Sequence, residues 1–307
     1  MKTVLLYLMI FSINSSVAFS QVTSEVILIK NDSIELPGTL TFTENNSKLI
    51  IWIHGSGNVD RDGNQAGLNV KANYIKQFRD SINKNDIAFF SYDKRTANLK
   101  NKKFFKGITF DAFIADAKKV VSHFKNNTRF KKIVLIGHSQ GSLIAMLASA
   151  EVDKYISLAG PSETIDATII KQISKQNAEL GKITAAYFKE LKETGDIKEV
   201  NPMLLSIFAK PNRAFIASWM QYKPSVEFKQ LKIPTLVING IKDLQVSVED
   251  AKALYSANPN SELVLIEDMN HILKHIENNT DNIRSYHSPD FPISTKLIEV
   301  ITQFVKK

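Results

Sequence analysis

The chain has 307 residues, 44% of them hydrophobic and 23% charged, with a formal net charge of +8 and no cysteine. That length suffices for one α/β domain with an insertion, and a chain without cysteine has no disulfide, no thiolate nucleophile and no cysteine-ligated zinc. The lysines are scattered over many segments and no nucleic-acid-binding motif accompanies them, so the basicity points to solubility and away from a nucleic-acid partner.

Taken in order, the first 20 residues read as a cleavable leader. Met1-Lys2 is a short basic start, Val4 to Phe11 is an apolar run, and Ala18-Phe19-Ser20 places small residues before a cut near Ser20–Gln21. Such a leader implies export to a bacterial periplasm or beyond, and no other stretch reaches the ~20 apolar residues of a membrane span. Apolar runs at 25–29 and 39–43 flank Asn31-Asp32-Ser33 and Pro37-Gly38 and predict an antiparallel pair. Residues 48–53 read as a third strand and 87–90 as a fourth. Phe110, Phe113, Ile114, Ala117, Val120, Val121 and Phe124 recur at helical spacing with Asp, Lys and His between them, which predicts an amphipathic helix. Strands follow near 133–136, 155–158, 234–238 and 262–266. Leu297, Ile298, Ile301, Phe304 and Val305 then form one stripe of a closing helix.

Strands alternating with helices predict a mostly parallel sheet covered on both faces. The alternation lapses between Ser162 and Val226, which carries helical patterns and no strand. The expected organisation is a leader (1–20), an α/β core (21–161 and 227–307) and a helical insertion (162–226).

Residues 133–141 read Ile-Val-Leu-Ile-Gly-His-Ser-Gln-Gly, and the small helix-forming residues 142–150 follow. A strand, Gly-x-Ser-x-Gly and a helix in succession make a nucleophile elbow. The turn is too tight for side chains two residues before and after the serine, a demand Gly137 and Gly141 meet, and it presents Ser139 on strained backbone. A hydroxyl nucleophile needs a base, and the base needs an orienting acid. Asp243 leaves the strand at 234–238 and His271 leaves the strand at 262–266, in the order Ser, Asp, His that accompanies such an elbow. His275 competes with His271 as base, and the two at a spacing of four raise a metal site, although no Glu or third ligand completes one. Asp268 competes with Asp243 as orienter. His271 and Asp243 are preferred, because each leaves a strand's carboxyl end, the edge where α/β sheets place their sites.

The segment His54-Gly55-Ser56-Gly57…Asp60-Arg61-Asp62 resembles the His-Gly-Ser-Gly…Asp-Arg-Asp stretch of bacterial esterases. Tyr92-Asp93-Lys94-Arg95 resembles their Tyr-Asp-Lys-Arg-Gly loop, with Thr96 where they carry Gly. With the elbow, these motifs make the chain similar, from about Leu36 onward, to α/β-hydrolases of the serine-aminopeptidase (S33-like) and carboxylesterase branch. The resemblance implies the α/β-hydrolase fold, a mostly parallel central sheet with helices on both faces, and a helical cap over the pocket at 162–226. Oxyanion donors are expected from the N–H of Gln140 and from the Gly55–Ser56 stretch. His54 is read as structural, fixing its loop by a hydrogen bond. Asp60, Arg61, Asp93 and Arg95 are read as an ion-pair network bracing the oxyanion loop. Phe215 and Trp219 are candidates for the wall of an acyl pocket or for the insertion's own core.

The expected chemistry is hydrolysis of an ester-like acyl bond by Ser139, His271 and Asp243 through an acyl-enzyme, with no metal and no organic cofactor. The expected partner is a small acyl ester, with a short peptide or an acyl thioester as alternatives. A non-catalytic binding protein on the same fold is the reading of a different class; the intact Ser, His and Asp speak against it.

Overall fold

Residues 48–53 read Lys-Leu-Ile-Ile-Trp-Ile, with no polar position after Lys48, the pattern of a strand covered on both faces. In the computed structural model, which describes residues 21–307 apart from Ala66 and Asn69, they lie inside an eight-stranded sheet. The expected leader at 1–20 falls outside the described residues. The strands are β1 (Thr23–Asn31), β2 (Ile34–Phe42), β3 (Lys48–Ile53), β4 (Ala88–Tyr92), β5 (Lys132–His138), β6 (Lys154–Leu158), β7 (Thr235–Gly240) and β8 (Glu262–Ile266). Their spatial order is β1-β2-β4-β3-β5-β6-β7-β8. β2 pairs antiparallel with β1 and with β4, and every pairing from β4 to β8 is parallel.

The helices are α1 (Tyr74–Asn83), α2 (Phe110–Lys125), α3 (Gln140–Ala148), α4 (Ile165–Gln176), α5 (Ala178–Thr194), α6 (Leu205–Phe208), α7 (Arg213–Trp219), α8 (Pro224–Gln230), α9 (Val248–Ala257), α10 (Asn282–Ser285) and α11 (Thr295–Lys306). None of the described helices is long and apolar enough to cross a membrane. Because side chains alternate along a strand, the sheet feeds two cores. Leu49, Ile51 and Ile53 of β3 join the predicted stripe of α2 and Leu143 and Ile144 of α3 on one face. Ile50 and Trp52 join Ile75 and Phe78 of α1 and Leu297, Ile301 and Phe304 of α11 on the other.

Three sequence expectations need adjustment. The second strand was expected to begin after Pro37-Gly38, but β2 runs through both. The hairpin turns earlier, at Asp32-Ser33, where Asp32 takes a left-handed conformation (φ 51°) and Asn31 pairs with Ile34. The insertion holds its own small core of Phe188, Leu191, Phe208 and Ile216, but its expected end at 226 falls inside α8. Phe228 of that helix is buried against Tyr155 of β6, in the core of the sheet.

The expected four-residue ion-pair network divides instead into separate contacts. Arg61 makes a two-pronged pair with Asp93 (2.9 and 2.8 Å). Asp60 is spent on its own loop, accepting the N–H groups of Asp62 and Asn64. Arg95 turns the other way, toward α2, and grips buried Asp116 at 2.6 and 2.7 Å; Asn31 donates to the same carboxylate. Removing one partner of a buried pair leaves the other charge uncompensated, which costs about 3–5 kcal/mol. Asp116→Ala should therefore lose about that much stability in urea unfolding. Lys182→Ala, which breaks an exposed pair with Glu179, should be close to neutral. Equal effects would show that the Arg95–Asp116 pair braces nothing.

Candidate active site

Ser139 stands between β5 and α3 with φ 53° and ψ −121°, a conformation that non-glycine residues rarely adopt. Its strain is held by close packing on both sides. A Cβ on Gly137 would run into the carbonyl of Gly141, and a Cβ on Gly141 into the carbonyls of Ile53 and His54. The N–H of Ser139 is tied to the carbonyl of Leu158 at 2.9 Å, and its own carbonyl accepts from Ser142.

Asp243 and His271 meet across 28 residues. His271 Nδ1 lies 2.8 Å from Asp243 Oδ2, and the other carboxylate oxygen accepts the N–H groups of Gln245 (2.7 Å) and Val246 (2.9 Å). Both side chains are essentially out of solvent, at 5% and 0% exposure. A carboxylate fixed by two backbone donors and facing Nδ1 holds the proton on that nitrogen and leaves Nε2 as the acceptor. Asp268 turns outward to Lys242 at 3.1 Å. His275 is half-exposed near Glu277, and the chain from 271 to 275 is a turn and not a helix, so the two imidazoles do not share a helical face.

A cavity of about 420 Å³ is lined by Ser139, His271, Gly55 and Ser56 together. No hydrogen bond joins Ser139 Oγ to His271; such contacts commonly tighten only around substrate. Among the described residues, the N–H groups of Gly55, Ser56 and Gln140 make no hydrogen bond within the protein; Gly55 and Ser56 line the cavity, and Gln140 directly follows Ser139.

Residues to which the sequence assigned no chemical role complete the surroundings. His138, inside the elbow, places Nε2 2.8 Å from the backbone carbonyl of His271 and Nδ1 3.4 Å from the Tyr74 hydroxyl. Burial, with the nearby His271 second, pushes its pKa down to about 3, so it remains a neutral donor to the loop that carries His271. Lys94 is buried and donates to the Gly55 carbonyl (2.8 Å) and to Gln140 Oε1 (3.0 Å). His54 departs from expectation. It is buried edge-on to Tyr92 at 5.0 Å, but no hydrogen bond of normal length and angle reaches either ring nitrogen. Burial, then the charge of Lys94, holds it well below the ordinary histidine pKa.

A family model described as serine aminopeptidase, S33 matches residues 66–207. No curated protein matches. Among solved structures, an esterase from Pyrococcus furiosus superposes with a TM-score of 0.60 at 20% identity, covering 92% of this chain and 91% of that one. Est1E from Butyrivibrio proteoclasticus gives a TM-score of 0.55 at 19% identity, covering 92% and 96%. The chain has the α/β-hydrolase fold. An acylaminoacyl peptidase from Pyrococcus horikoshii is also similar, with a TM-score of 0.59 at 13% identity; the match covers 95% of this chain and 42% of that one.

Phe215 and Trp219, the two candidates for a pocket wall, sit elsewhere in this fold. Trp219 stacks on Phe110 of α2 at 5.1 Å with the rings 4° from parallel, and Phe215 packs on Phe110 and Phe113. Neither lines the cavity of Ser139. The correction has a simple cause: α7 lies on α2 and turns its aromatic face into the sheet's core. Trp219→Ala should therefore act on stability, costing about 3–5 kcal/mol as a buried aromatic deletion. Urea unfolding measures it, and a loss below about 1 kcal/mol would show that the stack carries little weight.

Proposed function

We propose that this protein is a carboxylesterase-type serine hydrolase in which Ser139, His271 and Asp243 act as nucleophile, base and orienter. The observation that carries the reading is the Asp243–His271 pair, its carboxylate fixed by two backbone N–H groups, with His271 on the wall of the cavity that also holds strained Ser139. In this reading Ser139 Oγ attacks an acyl carbonyl while His271 Nε2 takes its proton. The tetrahedral oxyanion is received by the N–H groups of Gln140 and Ser56. Protonated His271, steadied by Asp243, hands the proton to the leaving alcohol. Water then attacks the acyl-enzyme, giving its proton to His271, and Ser139 departs with that proton to restore the resting site.

The alternative of an aminopeptidase draws on the family match. A substrate's free ammonium needs an anionic partner, and none of the described residues lining the cavity of Ser139 is Asp or Glu. That favours an uncharged acyl ester. Export through the leader at 1–20 is part of the proposal, and peptidase activity is its rival.

A fluorophosphonate probe and p-nitrophenyl esters beside aminoacyl anilides test it. Wild type should label once and prefer the esters, and Ser139→Ala should fold and fail to label. Asp243→Asn and His271→Ala should each lower kcat by about 10⁴-fold, with Asp268→Asn and His275→Ala near wild type. Stoichiometric labelling of Ser139→Ala, or equal losses at His271 and His275, would overturn the assignment.

A further inference from the structure

Lys94 follows β4 at the carboxyl edge of the sheet, and no step of the proposed reaction uses it. It is 5% exposed, which is unusual for a lysine without a carboxylate. Among the described residues, no acidic oxygen lies within ion-pair distance of its Nζ. The nearby Asp116 is occupied by Arg95. The other groups packed around Lys94 are His54, Tyr92 and the ring of Phe113, whose centroid is 5.0 Å from Nζ. Burial pushes the ammonium down to about 7. Keeping a desolvated cation with no counter-ion is costly, and such costs gather at functional sites.

What Lys94 touches gives the reason. Its two hydrogen bonds go to the two segments that flank the cavity edge, the carbonyl of Gly55 at 2.8 Å and the side chain of Gln140 at 3.0 Å. The Gly55 carbonyl belongs to the same peptide unit as the Ser56 N–H. A donor on the oxygen of an amide draws charge from its nitrogen and strengthens that N–H as a donor. Gln140 carries a further free N–H on its backbone. One nitrogen therefore links β4 to both expected oxyanion donors, across 39 residues in one direction and 46 in the other.

We propose that Lys94 is the positioning residue of the oxyanion site: it clamps Gly55 to Gln140 so that the N–H groups of Ser56 and Gln140 converge, and it polarises the former through the Gly55 carbonyl. The proposal rests on the serine-hydrolase reading above. It separates Lys94 from a mere brace, since a brace sets stability, whereas an oxyanion clamp acts in the transition state and is felt in kcat.

The test uses Lys94→Met, of similar length and without charge, and Lys94→Gln, which retains an N–H donor. Folding is followed by circular dichroism and thermal melting, and kcat and KM are measured with p-nitrophenyl acetate. Lys94→Met should fold and lose about 100-fold in kcat, the lower end of what removing an oxyanion donor costs, with KM nearly unchanged. Lys94→Gln should lose about tenfold, because a neutral donor polarises the carbonyl less than a charged one. Unchanged kcat in a folded variant, or a loss confined to KM, overturns the proposal. If Lys94→Met does not fold, Lys94→Gln decides by the same criteria, and failure of both to fold makes Lys94 a structural brace and also overturns it. Ser139→Ala separates the two levels. If that variant still labels with a fluorophosphonate, the reading of the site fails. If it is silent while the Lys94 variants keep wild-type kcat, only the role of Lys94 fails.

Discussion

The close approach of α3 to the exits of β3 and β5 is the constraint on which the site depends. Gly141 rests on the carbonyls of Ile53 and His54, and Gly137 faces the carbonyl of Gly141, so neither position has room for a Cβ. That contact forces the chain to reverse within one residue, and the cost appears as the positive φ of Ser139. It also sets the amino end of α3, with its unsatisfied N–H groups and partial positive charge, beside the Gly55 turn. Ser142, one turn into the helix, bonds the Tyr155 hydroxyl and Ser157 Oγ of β6, both at 2.8 Å, which ties the strained corner to the sheet.

Three buried histidines share this corner, and their surroundings divide their roles. His271 alone faces a carboxylate. His54 and His138 have no acidic partner, and burial holds both neutral. For His138 the hydrogen bonds specify a single tautomer. Nε2–H donates to the carbonyl of His271 and Nδ1 accepts from Tyr74. A neutral His138 can stand against the base loop, with ring centroids 5.0 Å apart, without opposing a positive charge on His271. A charged residue at 138 would oppose it.

How much of this was legible in the sequence follows from the range of each signal. The elbow and the strand exits are local patterns, so Ser139, Asp243 and His271 could be put forward from spacing and chain order, and the structure sets His271 against Asp243 and beside the cavity of Ser139. The stripe of α2 was equally plain. α1 was overlooked although Ile75, Phe78 and Ile82 recur at helical spacing, because Lys, Gln, Arg and Asp dilute a ten-residue segment whose preceding Asn73 supplies no side-chain cap. α9 carries a capping box in Ser247 and Asp250 that could have revealed it. Long-range partners leave no local mark. The aromatic spacing of Phe215 and Trp219 says that their face is covered, not that Phe110 of a distant helix covers it. The sequence equally offers no means of pairing Arg95 with Asp116 in preference to Asp60, or of foreseeing that Lys94 reaches Gln140.

The insertion meets the site through α4 and not through α7. Gln172 of α4 donates to the carbonyl of Gln245 at 2.9 Å, and Lys171 reaches the hydroxyl of Ser247. Both bonds fall on the loop whose first turn holds Asp243. A second cavity, of about 500 Å³, opens between α4 and this loop. It shares Gln176, Leu244 and Gln245 with the cavity of Ser139. The insertion thus contributes a polar residue, Gln176, at the junction of the two spaces, while Phe188 and Phe208 fill its own core and Phe215 and Trp219 pack on α2. A change in the packing of α4 acts on the loop that orients Asp243 as well as on the cavity wall. In this arrangement the shape of the cavity wall and the setting of the Asp243–His271 pair are coupled through one helix, and substitutions on α4 cannot be expected to alter the first without touching the second.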